Sequence, residues 1–142
     1  MAMKKTDRKK IYNKFDGHCA YCGCDLKYKQ MQVDHFWPQS LAHRQPNIDN
    51  NKFDNLMPSC QKCNIHKHGL TPEMWRSELA LQVTRLRKNS QFDRALRFGQ
   101  VKITECRIVF YFELFINPRA DAFCKKCNMP GHWEFECPLR GC

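Results

Sequence analysis

Four cysteines stand in two pairs, Cys19-x2-Cys22 and Cys60-x2-Cys63. Each pair has the spacing that turns two sulfurs toward one ion, and together they complete a tetrahedral Zn²⁺ site with bonds of about 2.3 Å. The 37 residues between Cys22 and Cys60 exceed the interval of a compact zinc ribbon, so a sizeable insert lies between the halves. A redox dithiol is the competing use of such pairs, but it calls for a surrounding βαβ pattern that this stretch lacks. Cys24 is close by, at a spacing from Cys22 that does not make a knuckle.

The insert carries Val33-Asp34-His35-Phe36-Trp37-Pro38-Gln39-Ser40, and later Asp54-Asn55 leads through Cys60 and Cys63 to Asn64-Ile65-His66-Lys67. This pattern resembles the HNH, or ββα-metal, nucleases, particularly the Asp-His variety with an interposed four-cysteine zinc site, and is also similar to the HNH domain of CRISPR effector nucleases. The resemblance covers roughly residues 16–69, about a third of the chain. It implies hydrolysis of phosphodiester bonds in DNA, which needs an activated water, a cation on the scissile phosphate and a stabilised leaving 3′ oxygen. On that resemblance Asp34 and Asn64 hold a divalent metal, Mg²⁺ or Mn²⁺, through hard oxygen ligands, and His35 is the general base. Asn55 matches the middle Asn of the family, which ties the loop between the strands and orients the base. Lys67 is expected to contact phosphate, and His68, four residues beyond Asn64 on a helix, is a candidate third metal ligand. His18, His43 and His66 read as ordinary surface or packing residues. Adjacent strand residues face opposite sides, so Asp34 and His35 reach one phosphate only if the strand ends or bends there.

Near the C-terminus stands Cys124-x2-Cys127-x4-His132-x4-Cys137, with Gly131 before the histidine and aromatic residues at 123, 133 and 135. This spacing resembles the CCHC zinc knuckle of retroviral nucleocapsid-type proteins and implies a second structural Zn²⁺. Such knuckles stack unpaired bases on aromatic rings, and Trp133 is the best placed to do so. A purely structural knuckle is the plainer alternative.

Lys and Arg outnumber Asp and Glu by 24 to 14, a net charge of +10 that suits a polyanionic partner. Zinc thiolates at the two sites would leave roughly +7. DNA, including branched or single-stranded DNA, is the partner expected; the composition gives no sign of oligomeric state. The basic, polar N-terminus has no apolar segment of a secretory signal and no stretch is long and apolar enough for a membrane span, so a cytoplasmic protein with reduced thiols is expected. A non-catalytic, zinc-dependent nucleic-acid-binding adaptor is the alternative function. Degeneration into an adaptor would remove Asp34, His35 or Asn64 first, and all three are present.

The elements that must position these residues follow from local chemistry. Thr6 is suited to cap a helix through about residue 15 that Gly17 stops, and its Lys4, Lys5, Arg8, Lys9, Lys10 and Lys14 form a basic block. A short strand is expected over 31–35, a polar loop over 41–51 and a brief helix from Gln61 to Gly69. Thr71-Pro72 opens a helix in which Trp75, Leu79, Val83 and Leu86 recur at helical spacing; a second helix over 90–98 ends at Gly99. Residues 101–115, rich in β-branched and aromatic types, predict a strand or hairpin, and 117–122 a linker. The fold expected is α+β: a small zinc-stabilised ββα-metal core with its basic N-terminal helix (1–70), a helix and strand extension (71–118) and a CCHC knuckle (119–142).

Overall fold

The computed structural model describes residues 5–44, 49–116, 123–124 and 129–130. The fold is α+β. Helix α1 (Lys5–Asn13) is followed by strand β1 (Gln32–His35), a 3₁₀ turn at Gln39–Arg44 and another at Phe53–Asn55, then strand β2 (Leu56–Ser59) and helix α2 (Gln61–Lys67). Helices α3 (Pro72–Ala80), α4 (Gln82–Leu86), α5 (Ser90–Arg97) and α6 (Glu113–Ile116) come next, and a two-residue pair β3 (Phe123–Cys124) and β4 (Met129–Pro130) lies beyond. Two compact units result, with Phe110–Ile116 belonging to the one that precedes Met74, and Met74–Val109 lying in the other.

In the first unit β1 and β2 pair antiparallel, with Asp34 opposite Met57 and His35 opposite Leu56. Pro58 is tolerated because both strands are edges, and its free carbonyl accepts the Ala20 N–H at 2.8 Å. That bond ties the loop of the first cysteine pair to the sheet. Beneath it Ile11, Phe15, Ala20, Tyr21, Met31 and Met57 form the core. Phe110 and Phe112 complete it, both in edge-on contact with Tyr21.

The basic block of α1 is divided by the fold. Lys9 and Lys10 are exposed, whereas Arg8 turns onto the carbonyls of Tyr28 and Met31. Lys14 donates to the carbonyls of Phe53, Asp54 and Leu56 at 3.1–3.2 Å, and burial lowers its pKa against the opposing pull of Asp54. It thereby clamps the turn that leads into β2. The helix itself begins at Lys5, so Thr6 lies inside it and is not its cap.

Three further expectations are corrected. The apolar spacing from Trp75 to Leu86 is not one helix: α3 ends at Ala80 and a turn at Leu81 separates it from α4, where Val83 and Leu86 are exposed. Without a surface to bury those side chains, periodicity alone does not hold the rods in line. Residues 101–115 form no strand; 101–110 are irregular, and α6 follows. There Phe110 and Phe112 are buried, and the N–H groups of Tyr111 and Phe112 bond to the carbonyls of Tyr21 and Ala20 at 2.9 and 2.7 Å. Finally, α2 ends at Lys67, and His68, its C-cap at φ 46°, breaks the helix one residue before Gly69. By contrast α5 runs close to its expected limits, with the Asn89 side chain accepting from the N–H groups of Gln91 and Phe92 and Gly99 at φ 70° beyond its end.

Candidate functional site

Cys19 and Cys22 come from the loop after α1, and Cys60 and Cys63 from the first turn of α2. Their four sulfurs lie within 4.8 Å of one another, and Cys22 Sγ is 3.9 Å from Cys60 Sγ. A regular tetrahedron of sulfurs around zinc has edges of about 3.8 Å, so the donor set and its spacing fit Zn²⁺. Backbone amides support the sulfurs: the Cys60 N–H donates to Cys19 Sγ and the Cys63 N–H to Cys60 Sγ, both at 3.4 Å. Cys24 is exposed and is not among the four. Gly23 sits at φ 74°, and a Cβ there would lie 2.7 Å from the Tyr111 ring, so the turn that closes the first pair requires glycine.

Asp34 is the inward residue of β1 and only 7% exposed. Its Oδ2 accepts from the Lys67 ammonium at 2.8 Å and from the Tyr21 hydroxyl. Lys67, at the end of α2, has no exposed surface; it also donates to the His35 carbonyl at 2.7 Å. The expectation that Lys67 meets a phosphate is thus not met by this arrangement, because a buried ammonium is held where a buried carboxylate needs it. Burial, and then the Asp34 charge, pushes the Tyr21 phenol far above the ordinary tyrosine range, so it is a donor at any working pH.

His35 is the last residue of β1 and faces the other way, half-exposed. Its Nε2 is 3.2 Å from the Gln39 amide nitrogen and 3.4 Å from Asn51 Oδ1. The strand ends here in a bend at Phe36 and Trp37. Asn55 fixes that bend: Oδ1 accepts the Trp37 N–H at 2.7 Å, and Nδ2 donates to the carbonyls of Trp37 at 3.1 Å and Asn50 at 3.0 Å. The Phe36 N–H in turn donates to the Asn55 carbonyl at 2.8 Å.

Asn64 lies in the middle of α2, half-exposed, one residue after Cys63. A carboxylate and an amide oxygen are donors that suit a hard divalent cation. His68 has left the helical path and is exposed; among the described residues the four cysteines form the one His, Cys, Asp or Glu cluster of metal-holding size, and His68 is outside it. His18 pairs with Asp25 at 3.1 Å, a surface role. In the knuckle, Cys124 falls in β3, while Cys127, His132, Trp133 and Cys137 lie outside the described residues. The sequence reading missed Tyr21, Gln39 and Asn51. Gln39 could have been found as the residue four beyond His35 on a turn; Tyr21, set among cysteines, looks like filler.

Residues 19–69 match the HNH endonuclease family and residues 118–141 the zinc-knuckle family. A stretch of 51 residues is 43% identical to the Septu protein PtuB of Bacillus thuringiensis, covering 34% of this chain and 18% of that protein. Among solved structures the Type II-C Cas9 enzyme from Actinomyces naeslundii is similar, at 22% identity and a TM-score of 0.45, over 70% of this chain and 11% of that one. The chain therefore spans less than a fifth of the length of either relative. No helix among the described residues is long and apolar enough to cross a membrane. The strand, strand, helix order between and after the cysteine pairs, the sulfur cluster and the family match agree: residues 19–69 are an HNH endonuclease domain, and residues 118–141 carry a zinc knuckle.

Proposed function

We propose that this protein is a metal-dependent endonuclease that hydrolyses phosphodiester bonds in DNA. The observation that carries the reading is the end of β1, where a buried carboxylate (Asp34) and an accessible imidazole (His35) are consecutive, beside a helix that leaves the cysteine cluster carrying Asn64. His35 takes a proton from water, the resulting hydroxide attacks phosphorus, and the bond to the leaving 3′ oxygen breaks. Asp34 and Asn64 are the residues that would hold Mg²⁺ or Mn²⁺, which supplies positive charge for the phosphate and the leaving oxygen. Asn55 is a positioning residue, since it shapes the bend that presents the imidazole. Zn²⁺ is structural at the four cysteines and, by its ligand pattern, at the knuckle.

His35→Ala is expected to lower single-turnover cleavage by about 10²–10⁴ while zinc content and DNA affinity stay near wild type. Cleavage by that variant at the wild-type rate would remove His35 from the role of base. The competing reading is a zinc-dependent nucleic-acid-binding adaptor, and the observation in its favour is the Asp34–Lys67 pair, which engages one carboxylate oxygen with a cation of the protein's own. Plasmid nicking with added Mg²⁺, against a matched reaction without divalent metal, separates the two.

A further inference from the structure

Tyr21 stands between Cys19 and Cys22, where zinc binding asks nothing of its hydroxyl. The residue is 2% exposed, and its neighbour's backbone is bonded to β2 through the Ala20 N–H and the Pro58 carbonyl at 2.8 Å. Its own carbonyl accepts the Tyr111 N–H at 2.9 Å, and its ring packs edge-on against Phe110 and Phe112. A phenylalanine would satisfy all of those apolar contacts. The hydroxyl, however, donates to Asp34 Oδ2, the oxygen that also receives Lys67. Two donors on one oxygen restrain the rotation of the carboxylate.

We propose that Tyr21 is a positioning residue for the reaction: it couples the four-cysteine cluster to Asp34 and holds the carboxylate so that Oδ1 is the atom offered to a divalent cation. The inference rests on the nuclease reading given above. Without the phenol, the carboxylate can turn and give both oxygens to the Lys67 ammonium, which then competes directly with the divalent ion. Partners of metal ligands commonly change metal affinity by about 10–100-fold when removed.

The test is Tyr21→Phe in the full, zinc-loaded chain, with Mn²⁺ as the probe. Mn²⁺ affinity, followed by electron paramagnetic resonance, is expected to fall about 10–100-fold, and the Mn²⁺ concentration for half-maximal cleavage to rise by a similar factor. Zinc per chain and a cooperative melt are expected to persist. Mn²⁺ affinity within two-fold of wild type overturns the positioning role, and so does a variant that has lost its zinc or its melt, since the tyrosine would then be structural. A wild-type chain that neither binds Mn²⁺ nor cuts DNA refutes the nuclease reading itself, whereas a cutting wild type beside an unchanged Tyr21→Phe refutes the positioning role alone.

Discussion

A lysine ammonium with no exposed surface costs several kcal/mol to bury unless an opposite charge and hydrogen bonds meet it. Lys67 has both, in Asp34 Oδ2 at 2.8 Å and the His35 carbonyl at 2.7 Å. One side chain at the end of α2 therefore touches the two residues at the end of β1 that the proposed chemistry uses. Lys67→Met should leave Asp34 buried beside the Tyr21 hydroxyl without a countercharge, a loss of about 3–5 kcal/mol, measured as a lowered denaturant midpoint. Added Mn²⁺ should recover part of that loss, because a divalent cation at Asp34 replaces the missing charge; no recovery would speak against Asp34 as a metal ligand. The types of these residues were legible in the sequence: Asp34, His35, Asn55 and Asn64 stand in the order that a family pattern requires. The partnership of Lys67 was not, since a lysine three residues beyond a candidate ligand looks like a phosphate contact until burial is known. Tyr21 was hidden for the same reason, as its contact with Asp34 spans thirteen residues of loop.

At the level of elements, α2 is the piece that the zinc cluster starts. Cys60 is its N-cap, accepting the Cys63 N–H, and Cys63 lies in its first turn, so sulfur ligation sets the helix that carries Asn64 and Lys67. In Cys60→Ser the hydroxyl can still cap the helix, and the change isolates the sulfur–zinc bond. Stability and cleavage should fall together, because a structural zinc's binding free energy is folding free energy. Each kcal/mol lost lowers the melting midpoint by about 4–8 °C in a domain of this size. Native mass measurement with a thermal melt checks it; one zinc fewer at an unchanged midpoint would show that the cluster does not hold the helix. Short elements bounded by cysteines, proline and glycine were readable because their punctuation is local. The stretch 101–115 was not, because strand propensity expresses itself only against a pairing partner. Phe110 and Phe112 instead enter the core beside Tyr21. A contact of that kind, some ninety residues away in sequence, leaves no local signal.

Over the whole molecule the charge excess is spread among separate parts. Residues 74–109 carry eight basic side chains against three acidic ones, and two of those acids are engaged, Glu78 by Arg85 and Asp93 by Arg97. Such a surface strengthens binding to any phosphate backbone and weakens with salt. It does not distinguish one form of nucleic acid from another. We propose that the knuckle at 118–141 does, because its match brings a zinc-binding pattern with aromatic residues in it, and a ring stacks on a base only where the base is unpaired. Stacking on an aromatic is worth about 1–3 kcal/mol per base, so Trp133→Ala should weaken binding to single-stranded or branched DNA by roughly five-fold to a hundred-fold. Affinity for fully paired duplex should change little, since the charges remain. The chemical step should survive at saturating DNA, because Asp34, His35 and Asn64 belong to the HNH domain and the tryptophan does not. Fluorescence anisotropy on the two kinds of DNA, beside single-turnover cleavage, gives the answer. Unchanged affinity for single strands would end the stacking role of Trp133, and a collapsed saturating rate would mean that the knuckle takes part in building the nuclease site.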